Sequence, residues 1–188
     1  MNHKKLLLAS GSPRRRELLA QLGYDFDIVV PNVQEQRQTE ESAQDYVLRL
    51  SEDKARAGLA MANSDAVVLG SDTIVVLNEQ VLEKPQDFAD ARCMLLQLSN
   101  TNHQVMTAVT VVSADRQRSI LVTTEVWFKA LSEQEIEHYW QTGEPCDKAG
   151  SYAIQGLGGR FVTRIEGSYY AVVGLPLYET DQLLHEFL

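Results

Sequence analysis

Three features of this sequence have the chemistry to handle polyphosphate. They are Asp72 after the apolar run Val67-Val68-Leu69, the lysines Lys54 and Lys84, and the loop Ser10-Gly11-Ser12-Pro13 that leads into Arg14-Arg15-Arg16. Ser12 is suited to cap a helix with Pro13 at its first position, which leaves the unpaired N–H groups of the first turn aimed at the loop, an anion-binding arrangement. Each exposed arginine in a first turn opposes the helix macrodipole by about 0.3–1 kcal/mol, and an anion in front of the helix reverses that sign. Solvated surface charge is the bland alternative. The loop is not a Walker A loop, because no Gly-Lys-Ser/Thr follows, and the single Gly11 is not a dinucleotide fingerprint.

The apolar run before Asp72 predicts that the aspartate emerges at the end of a buried strand, where α/β sheets place ligands. There it can hold a divalent cation or take a proton from water; a turn aspartate satisfying nearby N–H groups is the alternative. Lys54 lies seven residues beyond Val47 and shares its stripe with Leu50 and Met61 on a helix predicted over 43–62. Lys84 stands in a short loop before Pro85. Both lysines supply point charges to a polyphosphate, and both can equally snorkel to solvent. Together with Asp72 and the arginine turn they suggest several phosphates and a metal.

The elements that must position these residues read as follows. Apolar runs predict strands over 6–9 and 26–30, a polar loop over 32–44 carrying Glu35 and Arg37, and strands over 66–69 and 73–77 separated by Gly70-Ser71-Asp72. Asn78-Glu79 turns the chain into Val81-Leu82, and Ala91, Met94, Leu95 and Leu98 mark a helix with Cys93 inside it. Alternating strands over 104–112 and 120–128 are expected to be antiparallel neighbours. Ser132 and Glu135 form a capping box for a helix ending near Gly143. Gly156, Gly158 and Gly159 mark a loop before a strand over 161–165, and Leu175-Pro176 opens a terminal helix. Mingled strands and helices give an α/β domain with a mixed sheet in two lobes.

Other residue classes are less suggestive. His3, His103, His138 and His185 lack metal-ligand spacing and read as surface residues. No Gly-x-Ser-x-Gly elbow is present. Trp127, Trp140, Tyr152 and Tyr169 have rings that stack on a base, although packing is the commoner use. With 188 residues, 44% of them hydrophobic, one compact domain over 1–188 is expected. A net charge of −9 disfavours nucleic acid polymers and anionic membranes as partners, so any phosphate site must be local. Two cysteines, Cys93 and a loop Cys146, are too few for a disulfide framework, and no apolar run approaches spanning length; the expected location is cytoplasmic.

Five segments taken in order resemble the Maf family of nucleotide pyrophosphatases over essentially the whole chain. These are Ser10-Gly11-Ser12-Pro13-Arg14-Arg15-Arg16-Glu17-Leu18-Leu19, Gly70-Ser71-Asp72-Thr73, Glu83-Lys84-Pro85, the stretch from Asp147 to Gly156, and Val173-Gly174-Leu175-Pro176. The resemblance implies an elongated mixed β-sheet flanked by helices, with two lobes around a cleft, a fold related to the inosine triphosphate pyrophosphatases. It implies divalent-metal hydrolysis, with Mg²⁺ or Mn²⁺, at the α–β phosphoanhydride of a nucleoside triphosphate, and by analogy a homodimer. Asp72 matches the proton acceptor and, with Glu35, the acidic positions near the metal. Ser12, Arg14, Arg15, Lys54 and Lys84 match phosphate-contacting positions. Arg14, Thr73 and Gln155 resemble the dTTP/UTP branch, and the Gln155 amide has both a donor and an acceptor for a uracil or thymine edge. Asn100 stands where the family commonly has glycine; asparagine tolerates left-handed backbone, so the turn is expected to be kept. A nucleotide sensor or septation-related regulator with little catalysis is the alternative from another class, and a phosphomonoesterase is a third reading.

Overall fold

The computed structural model describes residues 4–62 and 65–188, so the expectation for His3 lies outside the described residues. In chain order the elements are β1 (Lys5–Ala9), α1 (Pro13–Gln21), β2 (Phe26–Val29), α2 (Ala43–Ala60), β3 (Ala66–Leu77), β4 (Gln80–Leu82), α3 (Phe88–Leu98), β5 (Asn102–Val112), β6 (Gln117–Phe128) and α4 (Glu133–Gln141). Three short 3₁₀ segments follow, Glu144–Asp147, Ala149–Ser151 and Leu157–Phe161, then β7 (Val162–Glu166), α5 (Tyr169–Val173) and α6 (Leu177–Phe187). The strands form one sheet in the order β2-β1-β3-β5-β6-β7, with β4 paired to β3. β1 pairs in parallel with β2 and β3, whereas β4 and β7 pair antiparallel with β3 and β6. This is the predicted α/β class with a mixed sheet. The chain divides into two compact units: Met1–Asp72, Thr107–Val122 and Gly174–Leu188 make the first, and Thr73–Met106 and Thr123–Val173 the second.

In the first unit β1 has a parallel partner on each side, and its residues Leu6 to Ala9 are all buried, as a strand covered on both faces requires. α2, capped by Ser42, turns Val47, Leu50, Ser51, Ala55 and Gly58 inward. Three of these are small, and the helix lies correspondingly close to the strands. A Cβ on Gly58 would stand 2.8 Å from the Ala9 Cβ, and one on Gly70 would stand 2.5 Å from the Ser51 carbonyl oxygen and 2.6 Å from the Ala55 nitrogen. This approach corrects one expectation. Gly70-Ser71-Asp72 is not a break between two strands; β3 runs unbroken, and its glycine is there for packing. Met61 does not continue the buried stripe either, because it caps the helix and is 60% exposed.

The second unit closes around Val75, Leu95, Leu98, Val126, Phe128, Ile136, Tyr139, Tyr152 and Phe161. Asn78 and Glu79 take positive φ values of 48° and 66°, as a two-residue hairpin with the matching twist requires. Asn100 takes φ 58°, so the expected left-handed turn is kept, and the Ser132–Glu135 capping box is present. Elsewhere the chain departs from expectation. Gly156 leads into a 3₁₀ segment that contains Gly158 and Gly159, rather than an irregular loop, and α5 was not predicted. Cys93 faces out of α3, and Cys146 sits exposed in a 3₁₀ turn; both are free.

His103 is also a correction, for it is 2% exposed rather than on the surface. Its Nε2 lies 2.7 Å from the Tyr152 hydroxyl, its ring meets Phe128 edge-on, and its Nδ1 has no partner. Burial pushes its pKa down to about 4. The unfolded chain therefore takes up this proton first as pH falls. The stabilisation is complete above about pH 6.5 and is lost progressively towards pH 4, on the order of 3 kcal/mol when complete. Thermal melts between pH 7.5 and 4.5 should show this loss, and a His103→Gln variant should show a shallower pH dependence over the same window.

Candidate active site

Lys54 is the inward-facing lysine of α2, and its surroundings explain why it tolerates that face. Its Nζ is 2.6 Å from Asp72 Oδ1 and 2.7 Å from Glu35 Oε1, while its side chain is only 13% exposed. Asp72 is 6% exposed and lies within β3, not at a strand end as the sequence suggested. Glu35 reaches the same ammonium from the stretch before α2 that has no regular structure. Burial pushes the Asp72 carboxyl up; Lys54 and Arg15 pull it down, Glu35 adds to the rise, and the balance is above the ordinary value. The aspartate is thereby a stronger proton acceptor than a surface carboxylate.

α1 meets the expectation for its start in detail. Ser12 Oγ accepts from the Arg15 N–H at 3.4 Å, Pro13 occupies the first turn, and that turn has no acidic residue. Arg15 is held by its own contact, donating Nε to the Gly174 carbonyl at 2.9 Å. Ser71 Oγ donates to the same oxygen at 3.1 Å. Gly174 adopts φ 133°, a conformation that L side chains rarely take. Burial lowers the Arg15 pKa most, the Asp72 charge opposes this, and neighbouring Arg14 adds to the lowering. Arg14 is half-buried. Ser71 and Gly174 were not singled out as site residues from the sequence; both stand inside quoted motifs, and the positive φ is what gives Gly174 its place there.

Five of the expected residues thus gather in the first unit: Ser12, Arg15, Glu35, Lys54 and Asp72, with Arg14 adjoining. Asp72 and Glu35 present hard carboxylate oxygens to one positive point. Among the described residues no group of three or more His, Cys, Asp or Glu side chains could hold a metal. Two carboxylates fit a magnesium-like ion that keeps waters and takes its remaining ligands from substrate phosphates, rather than one enclosed by protein.

The remaining expected residues belong to the second unit. Thr73 is the half-buried neighbour of Asp72 on β3. Lys84 is exposed, beside Glu83, whose carbonyl accepts from the Gly150 N–H at 3.2 Å. Gln155 is exposed in the turn closed by the Gly156 N–H donating to Ala153 O. Of the aromatic candidates, Tyr152 is in the core, Trp127 lies under the Arg164 guanidinium at 4.6 Å, and Trp140 packs on Phe88. Tyr169 is 41% exposed against Tyr170.

The family model described as Maf-like protein matches residues 5–187, and the chain belongs to the Maf family. It is 72% identical over 184 residues to a dTTP/UTP pyrophosphatase of Vibrio vulnificus (strain YJ016), covering 98% of this chain and 99% of that one. It is also 72% identical over 187 residues to the dTTP/UTP pyrophosphatase of Vibrio cholerae serotype O1, covering 100% of both. The Aliivibrio fischeri protein of the same name is 62% identical over 188 residues, covering 98% of each. Among solved structures, the Staphylococcus aureus Ham1 protein matches 66% of this chain and 72% of its own at TM-score 0.42 and 14% identity, a partial likeness.

Proposed function

We propose that this chain is a nucleoside triphosphate pyrophosphatase acting on dTTP and UTP, releasing the nucleoside monophosphate and pyrophosphate. The observation that carries the reading is the pair of acids around Lys54, in a unit that also contains the Ser12-capped, arginine-rich start of α1. The dTTP/UTP pyrophosphatase names of relatives up to 72% identical support it.

In this reading the oxygen of a water attacks the α-phosphorus and its proton passes to the Asp72 carboxylate. The bond from the α-phosphorus to the α–β bridging oxygen breaks, and pyrophosphate leaves. Ser12 and the positive start of α1 bind phosphate oxygens, and Arg14, Arg15, Lys54 and Lys84 offset the charge that develops on them. A divalent cation held by Asp72 and Glu35, Mg²⁺ or Mn²⁺, would polarise phosphate oxygens. Gln155 reads the edge of the pyrimidine and Thr73 contacts the substrate. Free, exposed Cys93 and Cys146, and the lack among the described residues of a helix long and apolar enough to cross a membrane, are consistent with the cytoplasm as its place of action.

The test is incubation with Mg²⁺ or Mn²⁺ and a panel of dTTP, UTP, CTP, GTP and 7-methyl-GTP, with products separated by chromatography. The expected result is monophosphate plus pyrophosphate from dTTP and UTP. Orthophosphate as the sole phosphate product would mean a phosphomonoesterase, turnover of 7-methyl-GTP alone would remove Gln155 and Thr73 from their roles, and binding without turnover would favour the sensor.

A further inference from the structure

Gln155 stands in a turn of the second unit whose two sides are held by one pair of side chains. The Glu144 carboxylate accepts from the Leu157 N–H at 2.8 Å through Oε1 and from the Gly158 N–H at 2.9 Å through Oε2. Tyr139, buried at 0% exposure, donates its hydroxyl to Glu144 Oε2, and the same hydroxyl accepts from the Ala153 N–H at 3.1 Å. The turn is therefore fixed at 153 on one side of Gln155 and at 157 and 158 on the other. The fit leaves no space for side chains. A Cβ on Gly156 would collide with the Glu144 carboxylate, and one on Gly158 would lie 2.6 Å from the Tyr139 hydroxyl and 2.8 Å from the Ala153 carbonyl.

We propose that Glu144, braced by Tyr139, is a positioning residue that sets base selectivity by fixing the backbone turn from which Gln155 presents its amide. This rests on the reading that Gln155 recognises the base. Two of the carboxylate's hydrogen bonds go to backbone N–H groups, so the anchor holds the path of the chain and leaves the Gln155 side chain exposed for a ligand. Burial pushes the Glu144 carboxyl up, but the hydrogen bonds from Tyr139, Gly158 and Leu157 outweigh it and hold the pKa below the ordinary value. The anchor is thus an anion at neutral pH, and hydrogen bonds to a charged acceptor are about twice as strong as neutral ones. A glutamine of the same shape keeps one acceptor oxygen and turns an N–H₂ donor towards the other N–H.

The test measures kcat/KM for UTP and GTP, and inhibition by inorganic tripolyphosphate, in the full chain and in Glu144→Gln, Gln155→Ala and the double variant. Gln155→Ala should lower the UTP-to-GTP ratio by roughly tenfold, and Glu144→Gln by about three- to tenfold, chiefly through KM for UTP. The double variant should lose no more than Gln155→Ala alone, and tripolyphosphate, which has no base, should inhibit all four alike. If Gln155→Ala changes the ratio while Glu144→Gln does not, or if the two losses multiply, the proposal is overturned and the reading of Gln155 stands. If Gln155→Ala leaves the ratio intact, both fall. Should Glu144→Gln fail to fold, Tyr139→Phe removes the brace together with the Ala153 contact and leaves the carboxylate in place; a ratio lowered about threefold supports the proposal and an unchanged ratio overturns it.

Discussion

Asp72→Asn should lower kcat for dTTP and UTP by about 10²–10⁴-fold, the range that a positioned general base contributes, with metal-free nucleotide affinity unchanged or tighter. The amide keeps the shape of the side chain and an oxygen able to accept from Lys54, but it cannot take the proton of the attacking water. Affinity measured without added metal should not fall, because the substitution removes a negative charge from beside the cations assigned to the phosphates. The pH profile gives an independent check. Asp72 must be ionised to act, and its pKa is raised, foremost by burial. The wild-type rate should therefore fall with acidification, and that acid limb should be missing from the residual activity of the variant. Single-turnover kinetics with a separate equilibrium-binding measurement separates the two effects, and wild-type-like turnover in the variant would remove Asp72 from the role.

Of the expectations about individual elements, several that held are decided within a few residues. The Ser12–Pro13 start of α1, the Ser132–Glu135 box, the Asn78–Glu79 hairpin and the left-handed Asn100 each depend on side chains bonding to, or permitting, their own backbone. The position of Lys54 on the inner stripe of α2 was legible for a similar reason, because helical period fixes direction. What sequence reasoning missed was decided by distant contacts. Nothing near His103 reveals that Tyr152, 49 residues on, will bury it, and nothing near Arg15 reveals a carbonyl 159 residues away. Gly70-Ser71-Asp72 has the composition of a turn, yet it is strand, because the glycine answers to α2 rather than to its neighbours in sequence.

That last contact sets the second large effect. Gly70→Ala should destabilise the fold by about 3 kcal/mol, at the upper end of overpacking, and lower Tm by roughly 6–12 °C for a chain of this size. The new methyl would meet the Ser51 carbonyl oxygen at 2.5 Å, the Ala55 nitrogen at 2.6 Å and the Ala55 Cβ at 2.9 Å. Two of these are backbone atoms of α2, which no rotamer change can move aside, so helix and strand must separate. Lys54 stands between Ser51 and Ala55 on that helix, and Asp72 lies two residues beyond Gly70 on that strand. The separation should therefore lengthen the 2.6 Å Lys54–Asp72 contact and lower turnover in the molecules that remain folded. Gly11 supplies the contrast: a Cβ there would meet only the Val30 methyls, at 3.7 and 3.8 Å, an ordinary van der Waals distance. Gly11→Ala should melt within about 2 °C of the wild type, as surface changes of under 0.5 kcal/mol do. Calorimetric melts of both variants decide the matter. A Gly70→Ala protein as stable as Gly11→Ala would mean that α2 and β3 yield easily, and the close approach would no longer account for how the lysine and the aspartate are held together.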